Sequence, residues 1–408
     1  MVKTALDIAQ IRAQFPILNE KVGKYPLIYF DNGASSQKPQ MVIDRIEKYY
    51  DKENANIHRG VHHLSQVSTD NYEIARKSIQ QFIGAKHDHE IIFTSGTTEG
   101  INLVAHSFGR LLEKGDEIII TEMEHHSNIV PWQMKAEEFG LTIKYVPLLE
   151  NGELDWDQLD TLITDKTRLL SFTHISNSLG TINPIKEIIA KAKSKGVKVL
   201  IDAAQSLQHM RVDVQDLDCD FMVFSGHKIF GPTGIGILYG KEEILNKMPP
   251  YKGGGDMIKT VKMEGTEYNE LPFKFEAGTP NIIGGIALGT AIDWMSELDY
   301  EQLQQHEAEL LKYATEKLKQ IEGTVIYGNA TNKSSILSFL IEGTHPYDIG
   351  TLLNQQGIAV RTGHHCTQPV MDFFGIPGTI RASFSLYNTK EEIDLFIDAL
   401  KKAVNMLK

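Results

Sequence analysis

The sequence has very little cysteine and no long apolar segment. Only two of its 408 residues are cysteines, too few for a disulfide framework. With no signal-peptide pattern and no apolar run long enough to span a bilayer, we expect a protein of the reducing cytoplasm that does not contact membranes. Acidic residues outnumber basic ones, 53 to 41, and the net charge of −12 argues against nonspecific nucleic-acid binding.

The chain is long enough for two domains, and its order of elements predicts the fold class. Apolar strand candidates alternate with helical segments or long connections, which indicates an α/β domain with a mostly parallel seven-stranded sheet covered on both faces. A short Gly/Pro turn joins the last two strands, so we expect that pair to be antiparallel. The candidate strands are 90–95, 117–123, 142–147, 168–175, 198–203, 220–225 and 234–239.

A second pattern near the C-terminus predicts a smaller α+β domain. We assign residues 22–290 to the large domain, and residues 1–21 and 291–408 to the small one. The Gly-rich stretch 252–280 has little periodicity and is interpreted as loop or interface. Strands are predicted at 324–327, 335–341, 358–361 and 380–385, and helices at 5–15, 40–52, 68–83, 283–297, 299–321, 346–356 and 390–407.

A lysine stands where a buried strand ends. Residues 220–224 are mostly apolar and run into Ser225, Gly226, His227 and Lys228. Desolvation at such a position lowers the pKa of a lysine and makes its amine nucleophilic, as Schiff-base chemistry requires. Ser225 and His227 could donate to a phosphate. A lysine that simply leaves the core for solvent is an equally good interpretation of this segment alone.

Polar groups follow other predicted strands, where α/β sheets bind ligands. Thr97 and Thr98 open a helix whose backbone amides could cradle a phosphate, although an ordinary capped helix start is favoured in isolation. His125, beside His126, could stack on a flat ring; the pair has poor spacing for zinc, and a plain surface pair stays open. Asp202, if buried, needs a cationic partner such as a protonated ring nitrogen, unless it caps a helix.

Together these groups match the requirements of pyridoxal 5′-phosphate (PLP). They supply a phosphate site, a stacking histidine, an acid for the pyridine nitrogen and a Schiff-base lysine, each after its own strand. Gln205 could donate to a ring substituent. The carboxylate keeps the ring nitrogen protonated, so that the ring acts as an electron sink.

The chain resembles the class V aminotransferase-fold cysteine desulfurases, most closely the SufS type (group II), whose relatives include selenocysteine lyases. The resemblance covers essentially the whole chain and is carried by seven specific motifs. The resemblance implies a PLP-dependent transferase of fold type I. The motifs are Asn54-Ala-Asn-Ile-His-Arg-Gly60, Gly96-Thr-Thr-Glu-Gly-Ile-Asn102, Met123-Glu-His-His-Ser-Asn-Ile-Val-Pro-Trp132, Ile201-Asp-Ala-Ala-Gln-Ser206, Phe224-Ser-Gly-His-Lys228, Glu276-Ala-Gly-Thr-Pro280 and Arg361-Thr-Gly-His-His-Cys-Thr-Gln-Pro369.

The resemblance also implies roles for individual residues. Lys228 would form the Schiff base, His125 would stack on the ring, Asp202 would pair with its nitrogen, and Gln205 would meet its hydroxyl. The phosphate would be held by Thr97, Thr98, Ser225 and His227, and by Thr279 of a second copy, which implies a homodimer. The substrate would be bound by Asn177, Arg361, Arg381, His58 and Arg59.

Cys366 distinguishes a desulfurase from an aminotransferase. Its loop is polar, and a nearby arginine and two histidines favour the thiolate; a packed cysteine is the alternative, which suits Cys219. The resemblance then implies that L-cysteine, or L-selenocysteine, yields L-alanine and a persulfide on Cys366. An acceptor protein would take the sulfur for iron–sulfur cluster assembly, and Tyr347, where SufU-dependent relatives often have histidine, favours a SufE-like acceptor.

Three other functions remain open at this point. An aminotransferase or another lyase on the same scaffold would make Cys366 incidental, and a selenocysteine lyase would share every motif. A metal-binding interaction module would use His364, His365, Cys366 and the pair of histidines at 125 and 126, but the spacing suits zinc poorly, and we predict no metal.

Overall fold

The computed structural model describes residues 7–408. None of the helices in this range is long and apolar enough to cross a bilayer. The helices are α1 (Ile8–Arg12), α2 (Gln40–Lys52), α3 (His63–Phe82), α4 (Thr97–Ser107), α5 (Val130–Phe139), α6 (Leu159–Leu162), α7 (Ile185–Ser194), α8 (Val214–Leu217), α9 (Glu242–Lys247), α10 (Ile282–Ser296), α11 (Tyr300–Leu318), α12 (Pro346–Asn354), α13 (Gln368–Phe374) and α14 (Lys390–Leu407). The strands are β1 (Lys21–Val22), β2 (Tyr25–Pro26), β3 (Ile28–Tyr29), β4 (Ile91–Thr94), β5 (Glu117–Thr121), β6 (Thr142–Val146), β7 (Thr167–Thr173), β8 (Lys198–Asp202), β9 (Phe221–Ser225), β10 (Gly236–Gly240), β11 (Ile258–Lys262), β12 (Gly265–Tyr268), β13 (Thr324–Tyr327), β14 (Ile336–Ile341), β15 (Ile358–Ala359), β16 (Arg361–Gly363) and β17 (Thr379–Ser383).

The predicted seven-stranded sheet is confirmed, with the strand order β4-β10-β9-β8-β7-β5-β6. Strand β10 runs antiparallel to both of its neighbours, and the remaining pairs are parallel. Every residue of β4, β9 and β10 is buried. Helices cover both faces of such a sheet, so its central strands are apolar on both sides. The carboxyl ends of the parallel strands therefore meet at one edge.

Helix α10 packs closely against α3 because its sequence is rich in glycine. A Cβ on Gly289 would lie 2.5 Å from the Cβ of Ala75, and a Cβ on Gly285 would lie 2.6 Å from the Tyr72 ring. Neither contact leaves room for a side chain. The close packing buries most of α10.

A four-stranded antiparallel sheet, in the order β13-β14-β17-β16, forms around a second hydrophobic core. Phe30, just after β3, contributes to this core and makes edge-to-face contacts with Phe384 and Phe396. Strand β3 also pairs with β15. The segment at residues 28–30 therefore carries the chain from the second core into the loop before α2. The division at residues 22–290 stays a prediction.

Several predicted elements have different bounds in the structure. Helix α3 begins at His63, not residue 68, because the His62 ring caps it by accepting from the Ser65 amide; histidine is not among the usual N-cap residues. The stretch at 252–280, interpreted as loop, contains the hairpin β11–β12, whose side chains are almost all exposed and so show no apolar alternation. The predicted strand 358–361 is split between two sheets.

Candidate active site

A cavity of about 500 Å³ opens at the carboxyl edge of the large sheet and reaches the loop after β16. Three predicted site residues do not line this cavity: His58, Arg59 and Thr279. All three are exposed. His58 pairs with Glu73 and Arg59 with Asp256. The structure brings the other predicted residues together around the cavity: Thr97, Thr98, His125, Asn177, Asp202, Gln205, Ser225, His227, Lys228, Arg361, Cys366 and Arg381.

Lys228 ends a 3-10 turn, Gly226–Lys228, that follows β9 directly. Burial lowers the pKa of its amine, and the Asp202 carboxylate opposes that shift only in part. The neutral amine is the nucleophilic form. Lys228, at the end of this strand, therefore has the lowered pKa that the sequence predicts.

Asp202 and Gln205 present buried polar atoms with free bonding capacity. Asp202 is 4% exposed, and its Oδ1 accepts one hydrogen bond, 2.9 Å from the Ala204 amide. Burial raises the pKa of this carboxyl group, and it forms no ion pair with any residue between 7 and 408. Gln205 donates to the Gly33 carbonyl at 2.6 Å, while its buried Oε1 has no partner. A protonated ring nitrogen with a neighbouring hydroxyl satisfies both groups.

The start of α4 has the form of an anion site. Its N-cap is Gly96, at φ 149°, which has no side chain to cap the helix, so the ordinary capped helix start that this segment favoured in isolation is wrong. A Cβ at Gly96 would lie 3.2 Å from Ser225 Oγ. That oxygen accepts from the Thr97 amide at 2.9 Å and also contacts the Thr97 hydroxyl at 2.9 Å. The next two amides of the helix, those of Thr98 and Glu99, have no side-chain acceptor among the described residues, and free amides at a helix N-terminus suit a phosphate.

His125 is held neutral beside the lysine. Burial, with Lys228 as the next cause, lowers its pKa to about 3. The Ser127 amide donates to Nδ1 at 3.1 Å, so the ring proton belongs on Nε2. A neutral imidazole can lie against a pyridine ring without adding charge, which fits the stacking role inferred from the sequence.

Two arginines face each other across β16 and β17, and an aspartate lies between them. Arg361 and Arg381 are direct cross-strand partners, an arrangement that repels unless an anion intervenes. Asp31 supplies that anion: its carboxylate lies 3.0 Å from Arg361 Nη2 and 3.1 Å from Arg381 Nη2. The Arg381 Nε is buried without a partner. The pair therefore retains capacity for a second carboxylate, such as that of an amino acid.

The Cys366 loop is shaped by its neighbours. His365 and Cys366 have positive φ values, 53° and 58°, which is unusual for residues with side chains. Asn177 donates to the His365 carbonyl at 2.7 Å, so its side-chain amide is used to hold the loop. The Cys366 thiol is exposed. Cys219 is buried, burial raises its pKa to about 12, and its predicted packing role is confirmed.

Sequence reasoning missed the residues that support these groups. The backbone amide of His126 donates to the Cys366 carbonyl at 2.8 Å, and its Nε2 accepts from the Gln368 amide at 3.0 Å. Buried Glu124 takes hydrogen bonds at the end of β5, and burial raises its pKa to about 8. For Asp31 a signal did exist, since it follows β3 as a lone acid. Among residues 7–408 no three His, Cys, Asp or Glu side chains are grouped to hold a metal ion.

The family model for aminotransferase class-V matches residues 28–396. The chain belongs to the aminotransferase class-V family. Class V aminotransferases depend on PLP, which confirms the cofactor predicted from the sequence, and the unsatisfied groups of Asp202, Gln205 and the start of α4 fit it.

Similar class V proteins are named cysteine desulfurases. One from Yersinia pseudotuberculosis serotype O:1b (strain IP 31758) is 51% identical over 405 residues, 99% of this chain and 100% of that protein. The solved structure of cysteine desulfurase CsdA from Escherichia coli has a TM-score of 0.93 and 39% identity, covering 99% of this chain and 100% of that one. The apo structure of the Thermococcus onnurineus NA1 cysteine desulfurase, 40% identical with a TM-score of 0.93, covers 100% of both chains.

Proposed function

We propose that this class V protein, which is a PLP-dependent cysteine desulfurase, forms L-alanine from L-cysteine and a persulfide on Cys366. The observation that carries the proposal is the shared cavity: Lys228 and an exposed thiol at residue 366 line the same 500 Å³ space. An aminotransferase has no use for a thiol there. The identity of about 50% to proteins named cysteine desulfurases, over the whole chain, supports the same substrate.

The cofactor would be held by the residues that offer it free bonds. Asp202 would pair with its ring nitrogen, Gln205 would meet its hydroxyl, and His125 would lie against the ring. The phosphate would contact Thr97, Thr98, Ser225 and His227. When bound, PLP draws electrons from the substrate's α-carbon and so makes the neighbouring bonds cleavable.

The chain's own residues divide the remaining work. Arg381 binds the substrate carboxylate, with Arg361 and Asn177 beside it. Lys228, with its lowered pKa, takes the proton from the α-carbon and later returns one. The Cys366 thiolate attacks the substrate sulfur: an S–S bond forms as the C–S bond breaks, and the electron pair stays with the carbon. Protonation of that carbon gives L-alanine, so cysteine and one thiol become alanine and one persulfide.

We further propose a homodimer with shared sites. Thr279, His58 and Arg59 are exposed polar residues that their own chain does not use in the cavity. In a dimer Thr279 would reach the phosphate of the other copy, and the other two would contribute to substrate binding. Sedimentation velocity should find two chains per particle, and Thr279→Ala should weaken PLP retention.

The persulfide sulfur is proposed to pass to a SufE-like acceptor in the cytoplasm for iron–sulfur cluster assembly. The exposed thiol is accessible to a protein partner, and Tyr347, 67% exposed on α12, takes the place where SufU-dependent relatives often have histidine. Adding a SufE-like protein to a turnover assay should raise the rate, whereas a SufU-like protein should not.

The product separates this function from its competitors. Purified protein supplied with L-cysteine should give L-alanine and sulfane sulfur in equal amounts. A keto acid in place of alanine would establish an aminotransferase, and turnover of L-selenocysteine alone would establish a selenocysteine lyase.

Replacing Arg381 tests substrate binding separately from chemistry. We expect Arg381→Lys to raise KM for L-cysteine by about 10- to 100-fold, because a hydrogen bond to a charged group is worth about 1.5–3 kcal/mol. The kcat should change much less. Steady-state kinetics of alanine release measure both constants, and an unchanged KM would remove Arg381 from the substrate site.

A further inference from the structure

One backbone carbonyl beside the active site accepts an unusual number of hydrogen bonds. It is the carbonyl of His227, in the peptide group that joins this residue to Lys228. The Ser36 amide donates to it at 3.0 Å, the Ser35 and Ser36 hydroxyls at 3.1 Å each, and the Lys38 ammonium at 3.0 Å. A carbonyl oxygen has two lone pairs. The segment at residues 35–38 is therefore arranged around this single atom.

Placing the Lys38 ammonium at this carbonyl costs free energy, because the ammonium is partly removed from water. Burial lowers its pKa to about 8, and it forms no ion pair with any residue of the described chain. Its ammonium donates to two backbone carbonyls, those of Ser36 and His227. Lys38 is half-buried, and a cation that is partly removed from water without a carboxylate partner is destabilising unless hydrogen bonds compensate. Its retention points to a function in holding the peptide.

The loop at residues 33–38 also forms hydrogen bonds with segments that carry predicted cofactor-binding residues. Ser36 Oγ accepts from the Phe230 amide at 2.7 Å, which ties down the far end of the turn that carries Lys228. The Gly33 carbonyl accepts from Gln205 at 2.6 Å. Residues 33–38 thus hold two strand-end segments of the large sheet in one fixed relation.

We propose that Lys38 is a positioning residue for the reaction: together with Ser35 and Ser36 it fixes the peptide before Lys228, and so sets the path of the Lys228 amine. The proposal rests on the proposed function, in which that amine moves the substrate's α-proton. A lysine side chain is long and flexible, so its reach is defined only if its backbone is immobile. A misplacement of about 1 Å can lower a rate about 10²-fold.

The backbone part of the proposal can be tested without cofactor or substrate. In cofactor-free Lys38→Met, hydrogen–deuterium exchange of the amides at residues 227–230 should be about 5- to 10-fold faster, as expected for loss of one hydrogen bond. Lys333→Met is the matched control, because Lys333 is also half-buried, has a pKa that burial lowers to about 8, and donates to a backbone carbonyl elsewhere. It should leave exchange at 227–230 unchanged. Equal exchange in Lys38→Met and the parent would overturn the proposal.

The chemical part uses a reaction that does not need the thiol. In a PLP-loaded Cys366→Ala background, the enzyme should exchange the α-proton of L-alanine with D₂O, and Lys38→Met should slow this exchange about 10- to 100-fold. The KM for L-alanine should be the same in Lys38→Met as in the Cys366→Ala background. Lys38→Arg should recover most of the exchange rate. If Lys38→Met is too unstable, Ser35→Ala removes one donor and should give a smaller effect of the same kind. Exchange as fast as in the Cys366→Ala background contradicts the role of Lys38. If the protein with Cys366 intact exchanges the α-proton of L-alanine but releases no sulfur from L-cysteine, only the desulfurase proposal is contradicted.

Discussion

Cys366→Ser should remain yellow with bound PLP and yet lose desulfurase turnover by about 10³-fold or more, as expected when a nucleophile is removed. A serine hydroxyl is a far weaker nucleophile toward sulfur than a thiolate. No other described residue can replace the thiol, since Cys219 is buried and its pKa is raised to about 12. Alanine release under L-cysteine, with the cofactor absorbance recorded in parallel, measures both properties.

Cys219→Ala is the matched control for this variant. It removes a thiol from the hydrophobic core rather than from the cavity. We expect the variant to turn over at close to the parent's rate and to melt at a somewhat lower temperature. Sulfide production by Cys366→Ser at the parental rate would exclude a persulfide at that residue. Loss of turnover in both variants would point to a general defect in folding rather than to chemistry.

Lys228→Met should lower turnover by about 10²- to 10⁴-fold, the usual range for loss of a general acid–base group. The lowered pKa of the buried amine makes it suited both to bind the cofactor covalently and to move protons. Borohydride reduction followed by peptide mass analysis should find the cofactor attached at residue 228 in the parent and unattached in the variant.

A small amine added from solution separates chemistry from structure in Lys228→Met. Ethylamine should restore part of the turnover, since it can carry protons in a cavity that has lost the lysine side chain. Ethylamine should do nothing for Cys366→Ser. Full activity of Lys228→Met without added amine would mean that another group moves the α-proton.

The fold and half of the site follow from local sequence rules. Apolar strands ending in polar residues predicted the seven-stranded sheet, and Lys228 and Asp202 were found because each follows its own strand. Asp31 also follows a strand, but its role could not be predicted, because that role depends on the pairing of Arg361 with Arg381 across two strands. No local rule reports which residues face each other across a sheet.

Two other misses also depend on contacts between residues far apart in the chain. The contact of His126 with the Cys366 loop joins residues separated by more than two hundred positions. The four donors on the His227 carbonyl come from a loop near the N-terminus.

The hairpin at 258–268 was missed for a different reason. Its strands are exposed on both faces, so they show none of the apolar alternation by which strands are recognised.

The most direct test of the account is a single turnover with sulfur-isotope-labelled L-cysteine and no acceptor. If Lys228 and Cys366 act on one substrate in one cavity, each chain should release one L-alanine and carry one labelled sulfur on the peptide that contains Cys366. Alanine released without label on that peptide, or label on the peptide without alanine, would contradict it.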